Sequence, residues 1–184
     1  TLMMSFIALG IVAVTWVLLG YSLAFSPGNP VIGGIQWAFL NGVGLETTGY
    51  LQGSLPNEMV SYAPTIPHQT FMIYQAMFAI ITPALISGAI VERVPFRSYC
   101  LFIVLWLIFV YCPMAHMVWG KGGFLGLNGG INTLDFAGGT VVHTASGFSA
   151  LVAAIVIGPR RAYPNQISAP HNIPFILLGS GLLW

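Results

Sequence analysis

The chain contains 184 residues, of which 57% are hydrophobic and only 5% are charged, and its formal net charge is +1 at pH 7. Soluble domains carry about 25% charged residues, so this composition excludes an ordinary water-facing surface and predicts a lipid bilayer as the solvent. The near-zero charge also excludes the basic surface that nucleic-acid binding requires, so no nucleic-acid partner is expected.

Five apolar runs predict an all-α fold, a polytopic transmembrane helix bundle that forms a single domain over residues 1–184. Crossing about 30 Å of hydrocarbon takes roughly 20 helical residues, and four of the runs reach that length. The chain begins at Thr1 without an initiator Met and ends in the fifth run, so we expect a fragment. The predicted helices are α1 at about residues 4–25, α2 at 69–91, α3 at 98–119, α4 at 136–157 and α5 at 173–184.

Interruptions in these runs also carry predictions. Pro83 in α2 and Pro113 in α3 are expected to kink their helices, which membrane bundles tolerate because neighbouring groups satisfy the freed carbonyls. The long loop between α1 and α2 is rich in Gly and Pro. Its apolar piece, residues 30–45, is too interrupted to span, which favours a short interfacial or re-entrant element.

Basic residues predict the orientation of the bundle. Four of the five Lys and Arg residues lie in the loops at residues 92–98 and 158–172, and Lys121 is the exception. Because Lys and Arg concentrate in cytoplasmic loops, these two loops are predicted to be cytoplasmic, in a multi-pass protein of the plasma or inner membrane. The other side then carries Lys121, Glu46, Glu58 and Asp135.

Two ionisable residues of α4 are candidates for function. His143 lies at mid-depth, where ionisable side chains are costly and so are often functional. Asp135 begins the same helix, about 12 Å above it and within about 80° of the same face. The alternatives are structural, because Asp135 is a good helix N-cap and His143 could bridge two helices in the core. An uncharged imidazole, with one donor and one acceptor nitrogen, suits handling a small polar molecule such as ammonia.

Aromatic residues form a second candidate feature near the predicted outer side. Phe71, Tyr74 and Phe78 share one face of α2, and Trp119 ends α3. A packing stripe and an interfacial tryptophan would explain them without function. Aromatic faces also attract ammonium-type cations by about 0.5–2 kcal/mol each, so these residues predict a cation-collecting mouth above His143.

The sequence from Asp135 to His143, Asp-Phe-Ala-Gly-Gly-Thr-Val-Val-His, resembles the signature of the ammonium transporter (Amt/MEP/Rh) family. Further pieces of that pattern occur in the expected order. They are Gly20-Tyr-Ser-Leu-Ala-Phe25, Gln75-Ala-Met-Phe78, Ser87-Gly-Ala-Ile-Val-Glu-Arg93, Ala115-His-Met-Val-Trp-Gly120 and His171-Asn-Ile-Pro174.

This resemblance implies an ammonium transporter that forms a homotrimer of eleven-helix subunits, with a pore in each subunit. The five helices would be the second to the sixth. Trp119 and Phe78 would bind ammonium, with Phe78 as gate and Tyr74 and Gln75 beside it. Asp135 would be the critical aspartate of that substrate site, and His143 the first of two pore histidines. A cytoplasmic regulatory protein is a further expected partner.

One departure from the family pattern concerns the loop between Trp119 and Asp135. It is longer than in some bacterial members and carries Lys121, which would repel ammonium if it pointed into the mouth.

Ammonium would be deprotonated at the mouth, ammonia would pass His143, and potassium, which has no proton to lose, would be rejected.

Three other functions are alternatives to transport. An intramembrane protease lacks its residues, since the chain has a single Asp and no Gly-x-Ser-Gly motif. A haem carrier would need axial ligands such as His116 and His143, whose predicted depths differ, so neither an enzyme nor a cofactor is expected. An ammonium sensor of the same fold, which binds without conducting, remains the main alternative.

Overall fold

A computed structural model of the protein describes residues 2–47, 51–52, 59–127, 129–160, 163–165 and 171–184. Four helices in this part of the chain are long and apolar enough to cross a membrane, and a fifth is shorter. The predicted fold class, a polytopic helical bundle, is confirmed, and each helix begins and ends within three residues of its predicted position. The helices are α1, Leu2–Phe25; α2, His68–Ile90; α3, Phe96–Trp119; α4, Gly139–Ile157; and α5, Ile173–Leu183.

Three of the helices contain a wide π turn, in which the backbone bonds skip one residue more than in an α-helix. These turns cover Trp16–Gly20 in α1, Leu107–Tyr111 in α3 and Gly139–Thr144 at the start of α4. The turn in α3 contains Phe109, whose carbonyl loses its usual partner because Pro113 has no N–H. Helix α3 therefore accommodates Pro113 with a π turn, whereas α2 continues as an α-helix through Pro83.

The described parts of the loop between α1 and α2 bond back to the helix ends, since the Gly33 N–H donates to the Leu23 carbonyl and the His68 N–H donates to the Glu46 carbonyl. Its apolar piece, residues 30–45, does not form a spanning helix and contains a 3-10 turn at Ala38–Leu40. Farther on, two short strands pair antiparallel, β1 at Leu51–Gln52 and β2 at Met59–Val60. This short ladder had no signal in the sequence.

The core is an aromatic cluster around Trp16. Its ring lies edge-on to Tyr21 at 5.9 Å, Phe25 at 6.2 Å and Tyr111 at 6.0 Å between centroids. The buried indole N–H donates to the backbone carbonyl of Met72 at 3.3 Å. A buried tryptophan needs such a partner for its one polar group, and this contact ties α1 to α2, while the ring contact with Tyr111 ties α1 to α3.

Arg93 joins the two basic loops at one end of the bundle. Its guanidinium donates to the backbone carbonyls of Gly158 and Ala89, and Arg160 lies 3.8 Å from the Glu92 carboxylate. The two loops therefore share one end of the bundle, as the alternating helix directions require. Their assignment to the cytoplasm remains a prediction.

Helix α4 is covered on one side only by the described residues. Val141, Val142, Ala145 and Ser146 are buried against the bundle, and Trp106 of α3 donates its indole N–H to Ser149 Oγ at 2.8 Å. The opposite face is exposed and apolar. The exposed residues are Phe148, Leu151, Val152, Ile155 and Val156.

Candidate functional site: an aromatic cavity at the end of the bundle

A cavity of about 530 Å³ lies at the end of the bundle opposite Arg93, where α2 begins and α3 ends. Seven aromatic side chains line it. A smaller number of polar and charged groups, together with loop glycines, complete it. The aromatic residues are Phe25, Tyr62, Phe71, Tyr74, Phe78, Trp119 and Phe136, and the polar and charged ones include Gln75, Lys121, Thr133 and Asp135.

Helix α2 supplies one wall from a single helical face. Tyr74 and Phe78 are one turn apart, so their rings meet edge-to-face with centroids 5.2 Å apart and planes at 77°. Gln75 lies beside them, and its side-chain Oε1 is buried without a hydrogen-bond partner among the described residues. An unpaired buried acceptor is unfavourable, so this oxygen is ready to accept from a donor in the cavity.

Trp119 supplies the facing wall from the last residue of α3. Its ring lies 5.7 Å from that of Phe78 at an interplanar angle of 67°. Its indole N–H donates to the backbone carbonyl of Asp135 at 2.7 Å. The polar edge of the ring is thereby held by the loop that leads into α4, while the ring contacts Phe78.

The Asp135 carboxylate organises the start of α4. Oδ1 accepts from the backbone N–H groups of Gly138 and Gly139 at 2.7 and 2.8 Å, and Oδ2 accepts from those of Thr140 and Val141 at 2.8 and 3.0 Å. The first amides of a helix have no partner within the helix, and a negative charge there is favourable. The predicted acceptance from the first amides is confirmed, but the helix begins at Gly139 and Gly138 occupies the N-cap position, so Asp135 caps α4 from three residues farther upstream. Both of its oxygens are occupied by the chain's own amides.

Tyr62 and Lys121 form the rim of the cavity on its loop side. The Lys121 Nζ lies 5.4 Å from the centroid of the Tyr62 ring, and the Lys121 backbone N–H donates to the Tyr62 hydroxyl at 2.6 Å. That hydroxyl donates to the carbonyl of Phe25 at 2.9 Å. Burial raises the pKa of Tyr62, an effect the Lys121 N–H partly offsets, so the hydroxyl stays protonated and keeps donating.

The structure does not bring every predicted site residue into this cavity. Trp119, Phe78, Tyr74, Gln75 and Asp135 line it together, whereas His143 does not. His143 lies in the first turns of α4, and its side chain is exposed in this chain. Whether it faces a pore remains a prediction.

His116 is accounted for by backbone contacts. Its Nδ1 lies 2.9 Å from the Ala24 carbonyl oxygen and its Nε2 lies 2.9 Å from that of Asn29. With both nitrogens engaged, this side chain has no free atom for an axial haem ligand. Within the described ranges, no group of three or more metal-ligating side chains occurs either.

Sequence reasoning missed Phe25 and Tyr62 as parts of the site. Tyr62 lies in an irregular loop, where no periodicity indicates which way a side chain points. Phe25 was noted only as the end of a matched motif. Only the three-dimensional structure reveals that both rings pack onto Phe71 of α2, with centroid distances of 5.4 Å for Phe25 and 5.2 Å for Tyr62.

Together these features define a multi-pass helical membrane protein with an aromatic cavity at one end of its bundle. The sequence model that describes the Ammonium Transporter Family matches residues 1–184, and the chain belongs to this family. The ammonium transporter of Bacillus subtilis is 48% identical over 100% of this chain, and Amt1 of Archaeoglobus fulgidus is 42% identical over 98% of it. The chain spans 41% and 40% of the lengths of these two relatives.

Solved structures of the same family have the same fold. The crystal structure of Candida albicans Mep2 is similar with a TM-score of 0.78 and 34% identity, over 97% of this chain and 37% of that one. A structure described as a sensor Amt protein matches with a TM-score of 0.71 and 27% identity, over 97% of this chain and 42% of that one. The chain thus resembles both Mep2 and a protein described as a sensor.

Proposed function

We propose that the protein to which this chain belongs transports ammonium, by collecting the cation in the aromatic cavity and conducting ammonia past His143. The observation that carries the proposal is the pairing of Trp119 with Phe78 beside the unpartnered Oε1 of Gln75. The 48% identity to the Bacillus subtilis ammonium transporter supports the choice of substrate.

The cavity matches the chemistry of ammonium. Ammonium carries one positive charge, which aromatic faces attract by about 0.5–2 kcal/mol each, and four N–H donors, which need acceptors when water is removed. Gln75 Oε1 supplies one acceptor, and Trp119 and Phe78 supply aromatic surface. Asp135 acts indirectly in this proposal, because its carboxylate is occupied by four amides and its carbonyl orients Trp119.

Conduction beyond the mouth follows from the cost of desolvation. Moving an isolated ion into an apolar medium costs up to tens of kcal/mol by simple Born estimates, so the pore favours neutral ammonia over ammonium. Deprotonation at the mouth removes the charge. His143, as an uncharged imidazole, then offers ammonia one donor and one acceptor. Potassium lacks a proton to lose and is rejected.

Further parts of the proposal concern the assembly of the whole protein. A homotrimer, a location in the plasma or inner membrane and a cytoplasmic regulatory partner are all expected from the family pattern. The loops at residues 92–98 and 158–172, where Arg93 and Arg160 lie, would form the cytoplasmic face.

The test is uptake of radiolabelled methylammonium by proteoliposomes that contain the full-length protein. If the protein is a transporter, methylammonium uptake should be saturable. Ammonium should inhibit this uptake by competition, and potassium at the same concentration should not. A sensor of this fold, which the likeness to the sensor Amt protein keeps as a second candidate, predicts binding of ammonium without uptake. Uptake no faster than in empty liposomes would exclude the transport function.

A further inference from the structure

The rim of the aromatic cavity holds a cation of its own. The Lys121 side chain places its ammonium group over the Tyr62 ring, 5.4 Å from the ring centroid. A lysine head is an alkylammonium, chemically close to methylammonium and ammonium. It therefore interacts with an aromatic wall of the cavity as the proposed substrate would.

The Tyr62 ring is fixed in place for this contact. It stacks on Phe71 with centroids 5.2 Å apart and planes at 18°, and meets Phe25 edge-on at 5.4 Å. Its hydroxyl is bonded on both sides, accepting from the Lys121 N–H and donating to the Phe25 carbonyl. The ring and the lysine backbone are thus held together, which keeps the Lys121 side chain attached beside the Tyr62 ring.

Lys121 makes no ion pair in the described part of the chain. Asp135 lines the same cavity, but its carboxylate oxygens accept from four backbone N–H groups and do not lie within ion-pair distance of Lys121. The positive charge of Lys121 therefore acts on the cavity uncompensated by an ion pair.

We propose that Lys121 is a tethered cation that sets the affinity of the mouth for its substrate, an inference that rests on the proposed function. It shields the Tyr62 face and repels an incoming ammonium ion, so the cavity binds more weakly than its aromatic wall alone would allow. The mouth is thereby tuned to a higher substrate concentration. Its selectivity against potassium is unaffected, because the repulsion acts on every cation alike.

The experiment compares methylammonium uptake by the full-length wild-type protein with that by the variants Lys121→Met and Lys121→Gln. The positive charge of Lys121 would lie no more than about 10 Å from a methylammonium ion in the cavity. Removing it should lower KM about three- to tenfold and leave the maximal rate unchanged. Because exposed charges are screened over about 10 Å at 0.1 M salt, the difference in KM should shrink as the salt concentration rises. Two neutral variants guard against a folding defect in either one.

Arg97→Gln is the matched control, because it removes one positive charge from an exposed position at the other end of the bundle. A lower KM in both Lys121 variants, with the control at the wild-type value, supports the proposal. An unchanged or higher KM in the Lys121 variants overturns it. If Trp119→Leu raises KM in the same assay, the proposed function survives that result and only the role of Lys121 is wrong.

Discussion

Trp119 and Asp135 are joined by a hydrogen bond of 2.7 Å from the indole N–H to the backbone carbonyl oxygen. The last residue of α3 is thereby coupled to the residue that caps α4. Since the Asp135 carboxylate holds the first amides of α4, one residue fixes both the start of a helix and the orientation of an aromatic ring. The geometry of the cavity consequently depends on a residue that is not free to bind the substrate itself.

Replacing Asp135 should destabilise the protein. Asp135→Ala leaves four backbone N–H groups without their acceptors, at a cost of about 1–3 kcal/mol for a buried unsatisfied group. Asp135→Asn keeps one acceptor oxygen and should cost less. Thermal unfolding of the full-length protein in detergent can be followed by tryptophan fluorescence. The melting temperature should be highest for the wild type, lower for Asp135→Asn and lowest for Asp135→Ala.

Glu46→Gln is the control for this series, because it also removes one carboxylate from an exposed position near the same end. Equal melting temperatures for Asp135→Ala and Glu46→Gln would show that the cap does not stabilise the fold.

Gly138→Ala should also disturb the start of α4. Gly138 has a φ of 89°, a backbone conformation that residues other than glycine rarely adopt. An added Cβ would lie 2.6 Å from Val142 Cγ2. We expect a loss of about 1–2 kcal/mol and a lower melting temperature. Gly10→Ala is the matched helical control, since its Cβ would meet no atom within 4 Å, and a loss as large there would remove the conformational explanation.

Much of this architecture could be predicted from the sequence. Runs of about 20 apolar residues specify membrane helices because the bilayer demands both length and internal hydrogen bonding. Asp135 could be recognised as a cap because capping depends on local sequence. The shared face of Tyr74 and Phe78 follows from helical periodicity, and the structure has their rings in contact.

The parts that could not be predicted depend on irregular backbone. The sequence predicts that Lys121 repels ammonium if its side chain points into the mouth, but the direction of that side chain depends on a loop whose hydrogen bonds are not periodic. Its partner Tyr62 is 59 residues away in the chain. The contribution of Tyr62 to the cavity follows from its stacking on Phe71, which no local pattern specifies.

Gln75→Leu separates a binding role from a structural one. Removing a buried oxygen that lacks a partner should leave the melting temperature unchanged or raise it, because an unsatisfied acceptor is unfavourable. If Oε1 accepts from ammonium, the same variant should raise KM for methylammonium about ten- to 150-fold, the value of one hydrogen bond of about 1.5–3 kcal/mol to a charged group. A wild-type KM would show that this oxygen does not contact the substrate.

His143→Ala should affect conduction more than recruitment. His143 lies outside the cavity that Trp119 and Phe78 line, so KM should change little, while the maximal uptake rate or the exclusion of potassium should change. Proteoliposome flux with methylammonium, and separately with potassium, measures both. His171→Ala is the control, because that histidine is exposed and lies outside the membrane-length helices. Wild-type uptake together with wild-type potassium exclusion would contradict a pore role for His143.

The most direct test of the account is the concentration dependence of methylammonium uptake in Trp119→Leu of the full-length protein. Loss of one aromatic face worth about 0.5–2 kcal/mol should raise KM about two- to thirtyfold, with little change in the maximal rate or in potassium exclusion. An unchanged KM, in a variant that folds and inserts like the wild type, would contradict recruitment of ammonium by the aromatic cavity.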